Sequence, residues 1–212
     1  MNITKYIHAC LDITVNEQRI IVDPGAFTDP LEDYSGVTAV VITHTHEDHL
    51  DESKIHKLAK QNPSLVIYCT QQAADKLSEN MRITVPEIGV QYSVGSTRLE
   101  FFGGLHSVIL DGMPQDENFG VLIDNTLYYP GDSLTPCPKA HTVLAAPSTA
   151  PWLKLSEAAN FITQDSAATV FPTHNGICIE PINDMTNMML AGVAKEAGKT
   201  YRVLKPGESI EV

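Results

Sequence analysis

Four side chains that bind metals readily, His44, His46, Asp48 and His49, fall within the single run Val40-Val-Ile-Thr-His-Thr-His-Glu-Asp-His-Leu50. With 8 His and 13 Asp in 212 residues, such a pattern arises somewhere in a shuffled chain about once in a thousand, so chance explains it poorly. In a strand-like approach His44 and His46 project to the same side and can converge on one ion, while Asp48 and His49 come from the turn beyond and reach a second position. Closing both positions requires donors from elsewhere in the chain. The candidates are His106 in Gly103-Gly-Leu-His106, Asp132 in Tyr129-Pro-Gly-Asp-Ser133, and His174 in Phe171-Pro-Thr-His-Asn-Gly176. Each follows a predicted strand, in a Gly- or Pro-marked turn where a side chain can be aimed away from a sheet edge.

Two divalent ions roughly 3.5 to 4 Å apart can share a hydroxide, lower its pKa towards neutrality and polarise a carbonyl or phosphoryl oxygen, which is the chemistry of metal-assisted hydrolysis. The donor set is entirely nitrogen and oxygen. Five imidazoles put zinc first, with manganese and iron also compatible. Asp48 doubles as the catalytic candidate: as a ligand it fixes the second ion, and its free oxygen can orient the nucleophile or pass a proton to the leaving group.

The elements that must position these residues follow from hydrophobic pattern and turn residues. Ile3 to Ile13 and Gln18 to Val22 read as a hairpin around Asn16-Glu17, ended by Asp23-Pro-Gly25. Val37 to Thr43 is a short β-branched run suited to a strand covered on both faces, so the histidine cluster sits where that strand ends. Asp51 can cap a helix carrying Ile55, Leu58 and Ala59 on one face, followed by a strand over Leu65 to Cys69 and a helix over Gln71 to Ser78. Ile83 to Phe102 alternates in antiparallel style, and Phe119 to Tyr129 holds two strands joined at Asn125-Thr126. The last third alternates again: a strand from His141 to Ala146, a helix from Ser156 to Thr163, a strand from Thr169 to Phe171, and a helix from Asp184 to Ala197 that Gly198 can terminate. Mixed sheets with helices on their outer faces follow, in one domain spanning 1–212. Leu110 to Asn118 reads as a mobile loop.

Composition narrows the function classes. The formal net charge of -12 opposes association with a polyphosphate backbone, because neutralising phosphates takes clustered Lys or Arg and the chain has only 14 of them, dispersed. Nucleic acid is excluded as an expected partner; a small-molecule substrate is expected, and homo-oligomerisation is left open. The start lacks a basic region followed by an apolar stretch, and no segment has 18 uninterrupted apolar residues, so the expectation is a cytoplasmic chain without membrane insertion. Cys10, Cys69, Cys137 and Cys178 lie far apart and are expected to be buried and reduced.

With its His-x-His-x-Asp-His motif at 44–49 and the later His106, Asp132 and His174, the sequence resembles the metallo-β-lactamase superfamily of metal-dependent hydrolases along essentially its whole length. It also resembles the branch of ascorbate-6-phosphate lactonases and N-acylphosphatidylethanolamine phospholipases, through Ile7-His-Ala-Cys-Leu11 and Ile21-Val-Asp-Pro24. The resemblance implies an α/β (α+β) fold, an αββα sandwich of two mixed sheets with the metal centre along one edge. It implies a first ion on His44, His46 and His106, a second on Asp48, His49 and His174, and Asp132 bridging them. Asp23 resembles the family's structural aspartate that braces the histidine loop, and Thr45, Glu47 and Asp51 are further supporting candidates. The expected activity is hydrolysis of a small ester-like substrate, a lactone or phosphodiester ahead of a β-lactam.

Other residues have plainer readings. His56 and His141 read as surface or satisfied core histidines. His8 stands open between a substrate contact at the pocket rim and a strand residue paired with a neighbour. Trp152, Phe101, Phe102 and Tyr128 read as core or pocket wall, and Met185, Met188 and Met189 as core packing on a helix. Lys139 and Lys154 are the nearest cations to Asp132 that could hold a phosphate. Two other classes share the donor pattern: a di-iron oxygen or nitric oxide reductase, for which the family pattern usually has Glu in place of His46, and a non-catalytic metal-binding module.

Overall fold

The computed structural model describes residues 1–28 and 33–212. Alternating apolar residues build the first strands: β1 (Asn2–Lys5), β2 (Leu11–Val15) and β3 (Gln18–Val22) form an antiparallel meander. Its second turn has Asn16 and Glu17 at φ 48° and 62°, the left-handed pair whose twist matches that of the flanking strands. The stretch expected to run unbroken from Ile3 to Ile13 is interrupted. Tyr6 N–H donates to the Cys10 carbonyl at 2.9 Å and His8 takes φ 67°, so residues 6–10 form a tight loop between β1 and β2.

From β3 the sheet turns parallel through β4 (Ala39–Ile42), β5 (Val66–Cys69) and β6 (Ile83–Thr84), and β14 (Ser209–Glu211) closes its other edge against β1. The second sheet repeats the scheme. Strands β7 (Gln91–Val94), β8 (Thr97–Leu105), β9 (Glu117–Ile123) and β10 (Leu127–Tyr129) pair antiparallel, and β11 (Val143–Pro147), β12 (Thr169–Thr173) and β13 (Thr200–Tyr201) continue parallel. The expected pair of mixed sheets is therefore present, with seven strands in each among the described residues.

Helices cover the outer faces. In α1 (Glu52–Gln61) the Asp51 carboxylate accepts from the backbone N–H groups of Ser53 and Lys54 at 2.9 and 3.2 Å, as its position before the apolar stripe predicts. The next helix, α2 (Gln71–Ala74), is one turn long and stops short of the expected Ser78. On the other face lie α3 (Leu155–Gln164) and α4 (Glu180–Glu196), the latter beginning before the expected Asp184 because Pro181 is tolerated in a first turn. Gly198, at φ 74°, ends it.

Three apolar layers result. Ile13, Ile20, Val41, Phe101, Val121 and Phe171 fill the space between the sheets; Ile42, Ile55, Leu58 and Ile67 join the first sheet to α1; Leu122, Leu144, Ile162, Leu190 and Ala194 join the second sheet to α3 and α4. The methionines of α4 do not belong to this core. Its buried face is Thr186, Asn187, Leu190 and Ala194, which turns Met185, Met188 and Met189 outward at 45, 68 and 44 % exposure. Cys10 and Cys69 are buried as expected, while Cys137 and Cys178 are only half-buried, and all four are free thiols. Among the described residues no helix is long and apolar enough to cross a membrane.

Candidate metal centre

Strand ends carry every one of the seven expected donors. His44, His46, Asp48 and His49 follow β4, His106 follows β8, Asp132 follows β10 and His174 follows β12. The first loop is held closed by its own backbone: His49 and Leu50 N–H both donate to the His46 carbonyl, at 3.0 and 2.9 Å. It lies so close to residues 23–26 that Ala26 N–H reaches the Glu47 carbonyl at 2.7 Å and a Cβ on Gly25 would stand 1.9 Å from the Asp48 carbonyl oxygen. Only glycine fits there.

Asp132 is set by a second close approach. Gly131, at φ 62°, turns the chain, the Asn118 side-chain oxygen accepts from Asp132 N–H at 3.0 Å, and the Asn118 amide donates to the Pro130 carbonyl at 3.0 Å. Ser107 N–H in turn donates to the Asp132 carbonyl at 2.8 Å, tying the His106 loop to the same turn.

The donors converge in two groups. His44, His46, His106 and Asp132 offer atoms all within 4.8 Å of one another, and so do His8, Asp48, His49 and His174. Asp132 lies between the groups: its Oδ2 is 3.3 Å from His106 Nε2 and 2.9 Å from His174 Nε2, and its Oδ1 is 3.2 Å from His49 Nε2. All seven sequence candidates are thus brought together, and His8 joins them.

Each imidazole of the seven is committed on one nitrogen. His49 Nδ1 and His174 Nδ1 donate to Asp23 Oδ2 and to the Thr149 carbonyl, both at 2.7 Å, and His106 Nδ1 donates to the Ser107 carbonyl at 2.6 Å. His44 Nδ1 donates to the Thr43 hydroxyl at 3.0 Å, whose own proton goes to Asp23 Oδ2 at 2.7 Å. His46 is reversed: Nε2 donates to Asp116 Oδ2 at 3.0 Å, which leaves Nδ1 as its remaining donor atom. The other nitrogens find no such partner. Nε2 of His44, His49, His106 and His174, and Oδ1 of Asp132, are buried without a hydrogen bond among the described residues, despite the short approaches to Asp132. Buried polar atoms are nearly always bonded, so five orphans aimed into one space fit divalent cations, whose ligands have their opposite faces fixed in this manner.

Asp23 anchors the arrangement. Fully buried, it accepts from Thr43 N–H and hydroxyl at 2.8 and 2.7 Å, from His49 Nδ1 at 2.7 Å and from the Tyr129 hydroxyl at 2.9 Å. It therefore supports both groups, His49 directly and His44 through Thr43. Thr45, Glu47 and Asp51 contribute differently: the Thr45 and Glu47 carbonyls accept from Lys76 Nζ and Ala26 N–H, and Asp51 caps α1.

Carboxylates and imidazoles in the two groups shift one another strongly. Burial works against charge on Asp132, yet His49 and His174 hold its carboxyl well below the usual range; Asp48 is likewise pulled far down against its burial, by hydrogen bonds from His174 and His8. Burial also opposes protonation of His49, but Asp132 and Asp23 outweigh it and raise its pKa well above the ordinary imidazole value. His174 is raised to about 9 in the same contest between burial and Asp132. His44 goes the other way, pushed well down by burial and by neighbouring His49.

Three participants escaped the sequence reading. Asp116, at the far end of the 106–116 loop, fixes His46, and Tyr129 is a fourth donor to Asp23. Trp152, expected only as core or wall, donates its indole N–H to Asp132 Oδ2 at 3.0 Å and sets its ring 5.8 and 6.3 Å from those of His106 and His174. His8 is fully buried in the β1–β2 loop rather than lying on a strand, with Nε2 2.9 Å from Asp48 Oδ2. His56 is a helix residue bonded to the Glu52 carbonyl, and His141 is buried against Asp165 at 3.0 Å.

Residues 2–174 match the family model described as the beta-lactamase superfamily domain. A Mycobacterium tuberculosis protein, Rv0786c, is 32 % identical over 182 residues, covering 84 % of this chain and 85 % of its own. A UPF0173 metal-dependent hydrolase of Anoxybacillus flavithermus is 26 % identical over 149 residues, which span 63 % of this chain and 64 % of that protein. The solved structure of Igni18, a metallo hydrolase from Ignicoccus hospitalis, superposes with a TM-score of 0.75 at 20 % identity, covering 99 % of this chain and 97 % of the other.

Proposed function

The chain belongs to the beta-lactamase superfamily, and on that premise we propose that it is a metal-dependent hydrolase with a dinuclear centre. The observation that carries the proposal is the set of five imidazoles, each bonded to the protein on one nitrogen, four of them buried with the other nitrogen unpartnered, and three of those within 3.3 Å of Asp132. His44, His46 and His106 would hold the first ion and Asp48, His49 and His174 the second, with Asp132 available to both. Zinc suits so histidine-rich a set, and manganese or iron the same geometry. Bound there, such ions would supply Lewis acidity for a substrate oxygen and lower the pKa of a water towards neutrality.

The residues themselves do the rest. Asp132, kept anionic, is oriented by Trp152 from one side and by the Asn118–Gly131 turn from the other. Asp48, equally anionic, is a ligand and an acceptor that aligns the attacking group, and its proton-passing role to the leaving group belongs to the same proposal. Trp152, with Leu153, Val108, Ile109 and Leu110, walls a cleft of about 480 Å³ beside the His106 loop. An apolar wall next to polarising groups favours a substrate with a hydrophobic part.

Charge in that cleft supports a neutral ester over a phosphodiester. Lys154 is the cation there, offset by Asp111 and by Glu157 at 3.8 Å. Lys139 is committed to Glu100 at 2.5 Å. A lactone or related carboxylic ester is the substrate class we favour, in line with the resemblance to the lactonase branch. Metal analysis coupled to a panel of lactones, phosphodiesters, thioesters and β-lactams tests it, with His46→Ala as control for contaminating activity. Two metals per chain and lactone turnover abolished in His46→Ala are expected. Phosphodiester turnover alone would overturn the substrate class; tightly held di-iron with oxygen consumption, or no metal uptake, would overturn the hydrolase.

A further inference from the structure

His8 enters the second donor group by distance alone, and its hydrogen bonds separate it from the others. Gly176 N–H lies 3.1 Å from His8 Nδ1. A backbone amide can only donate, so Nδ1 presents its lone pair and the proton of the neutral ring sits on Nε2. That Nε2–H points at Asp48 Oδ2, 2.9 Å away. A nitrogen occupied by a proton has no lone pair for a cation, and freeing it would require an imidazolate. The five ligand histidines have the opposite polarity, each spending its proton on the protein and leaving the nitrogen that faces the centre open.

The loop that presents His8 is built for this contact. Its φ of 67° is a conformation that bulky side chains adopt only where the surroundings enforce it. The enforcement comes from the far side of the centre: His174 N–H donates to the His8 carbonyl at 3.0 Å, and a Cβ on Gly176 would lie 2.9 Å from His8 Cβ, so glycine is needed for the two loops to interlock.

We infer that His8 is a positioning residue, which holds the Asp48 carboxylate in place by donating from Nε2 and is neither a ligand nor a substrate contact. The inference rests on the dinuclear reading for its consequence, that the second ion has three protein donors of its own plus Asp132. A pair of substitutions separates the two bonds His8 makes. His8→Gln can place an amide N–H where Nε2 stands but loses the acceptor for Gly176, whereas His8→Asn keeps an acceptor near Nδ1 and tolerates positive φ but cannot reach Asp48.

Zinc titration against a chromophoric chelator is expected to show both ions retained by His8→Gln, and in His8→Asn a second ion weakened about 10- to 100-fold with the first unchanged. His8→Asn binding both ions as tightly as the parent, or both variants losing the second ion equally, would overturn the inference. Long-range proton–nitrogen NMR of the unsubstituted protein gives an answer that needs neither variant to fold. The expected His8 tautomer is Nε2–H with and without zinc, and an Nδ1–H tautomer or a zinc-induced shift at Nε2 would make His8 a ligand. If the protein takes up no zinc, the hydrolase reading falls while the tautomer still decides the role of His8.

Discussion

Replacing Asp23 by Asn changes one buried oxygen into an NH₂ while preserving shape, and the consequence can be worked from its four bonds. If the amide oxygen takes the Oδ2 position, Thr43 hydroxyl, His49 Nδ1 and Tyr129 hydroxyl keep an acceptor, but the NH₂ then faces Thr43 N–H. The opposite flip sets it against three donors. The better arrangement leaves a buried N–H unsatisfied, about 1–3 kcal/mol, and turns the remaining charge-assisted bonds into neutral ones of roughly half the strength. Together these cost roughly 2–4 kcal/mol of folding stability, measured by denaturant titration of chelator-treated protein. Because His49 and, through Thr43, His44 lose their orientation, zinc affinity should fall about 10- to 100-fold at both ions. A variant within about 0.5 kcal/mol of the parent, with unaltered zinc affinity, would refute the role given to Asp23.

Gly25→Ala should destabilise by more than about 2 kcal/mol and cost zinc binding, since its Cβ would lie 1.9 Å from backbone oxygen; thermal melting with metal analysis reads both. Trp152→Phe keeps the wall against His106 and His174 but removes the N–H on Asp132 Oδ2, so metal content should stay at the parental value while kcat/KM falls roughly tenfold. His141 is opposed by burial but raised to about 10 by its contact with Asp165. Its folded pKa lies above the unfolded one, so its stabilisation is complete below about pH 6.5 and is lost as pH rises through about 10. Melting temperatures of the parent and His141→Gln should therefore converge as the medium becomes alkaline; a constant gap would exclude the ion pair as the cause.

The hexapeptide at 44–49 was legible because its donors are contiguous, and His106, Asp132 and His174 because turn residues mark the strand ends before them. Their grouping into two sets follows from topology, which brings four strand ends to one edge. What the sequence concealed was tertiary in origin. The pattern of Ile3 to Ile13 fits one strand, and only His174 N–H and Gly176 N–H reveal why the chain bends back at His8. Asp116 looks like any acid in a polar loop until His46 is opposite it. Helical spacing announced that Met185, Met188 and Met189 cluster, but not which way the cluster faces, and the choice fell to Leu190 and Ala194.

Each of the two donor groups draws on loops of both sheets, His44, His46 and His49 from the first, His106, Asp132 and His174 from the second. A cation lodged there would act as a clasp across the sandwich, its binding energy adding to the apolar packing and the few hydrogen bonds, such as Tyr129 to Asp23, that already join the layers. Free metal at about a thousandfold over its dissociation constant would add about 4 kcal/mol against unfolding. Chelators should loosen the whole molecule, and cellular metal supply would then govern how long this chain survives as well as how fast it turns over.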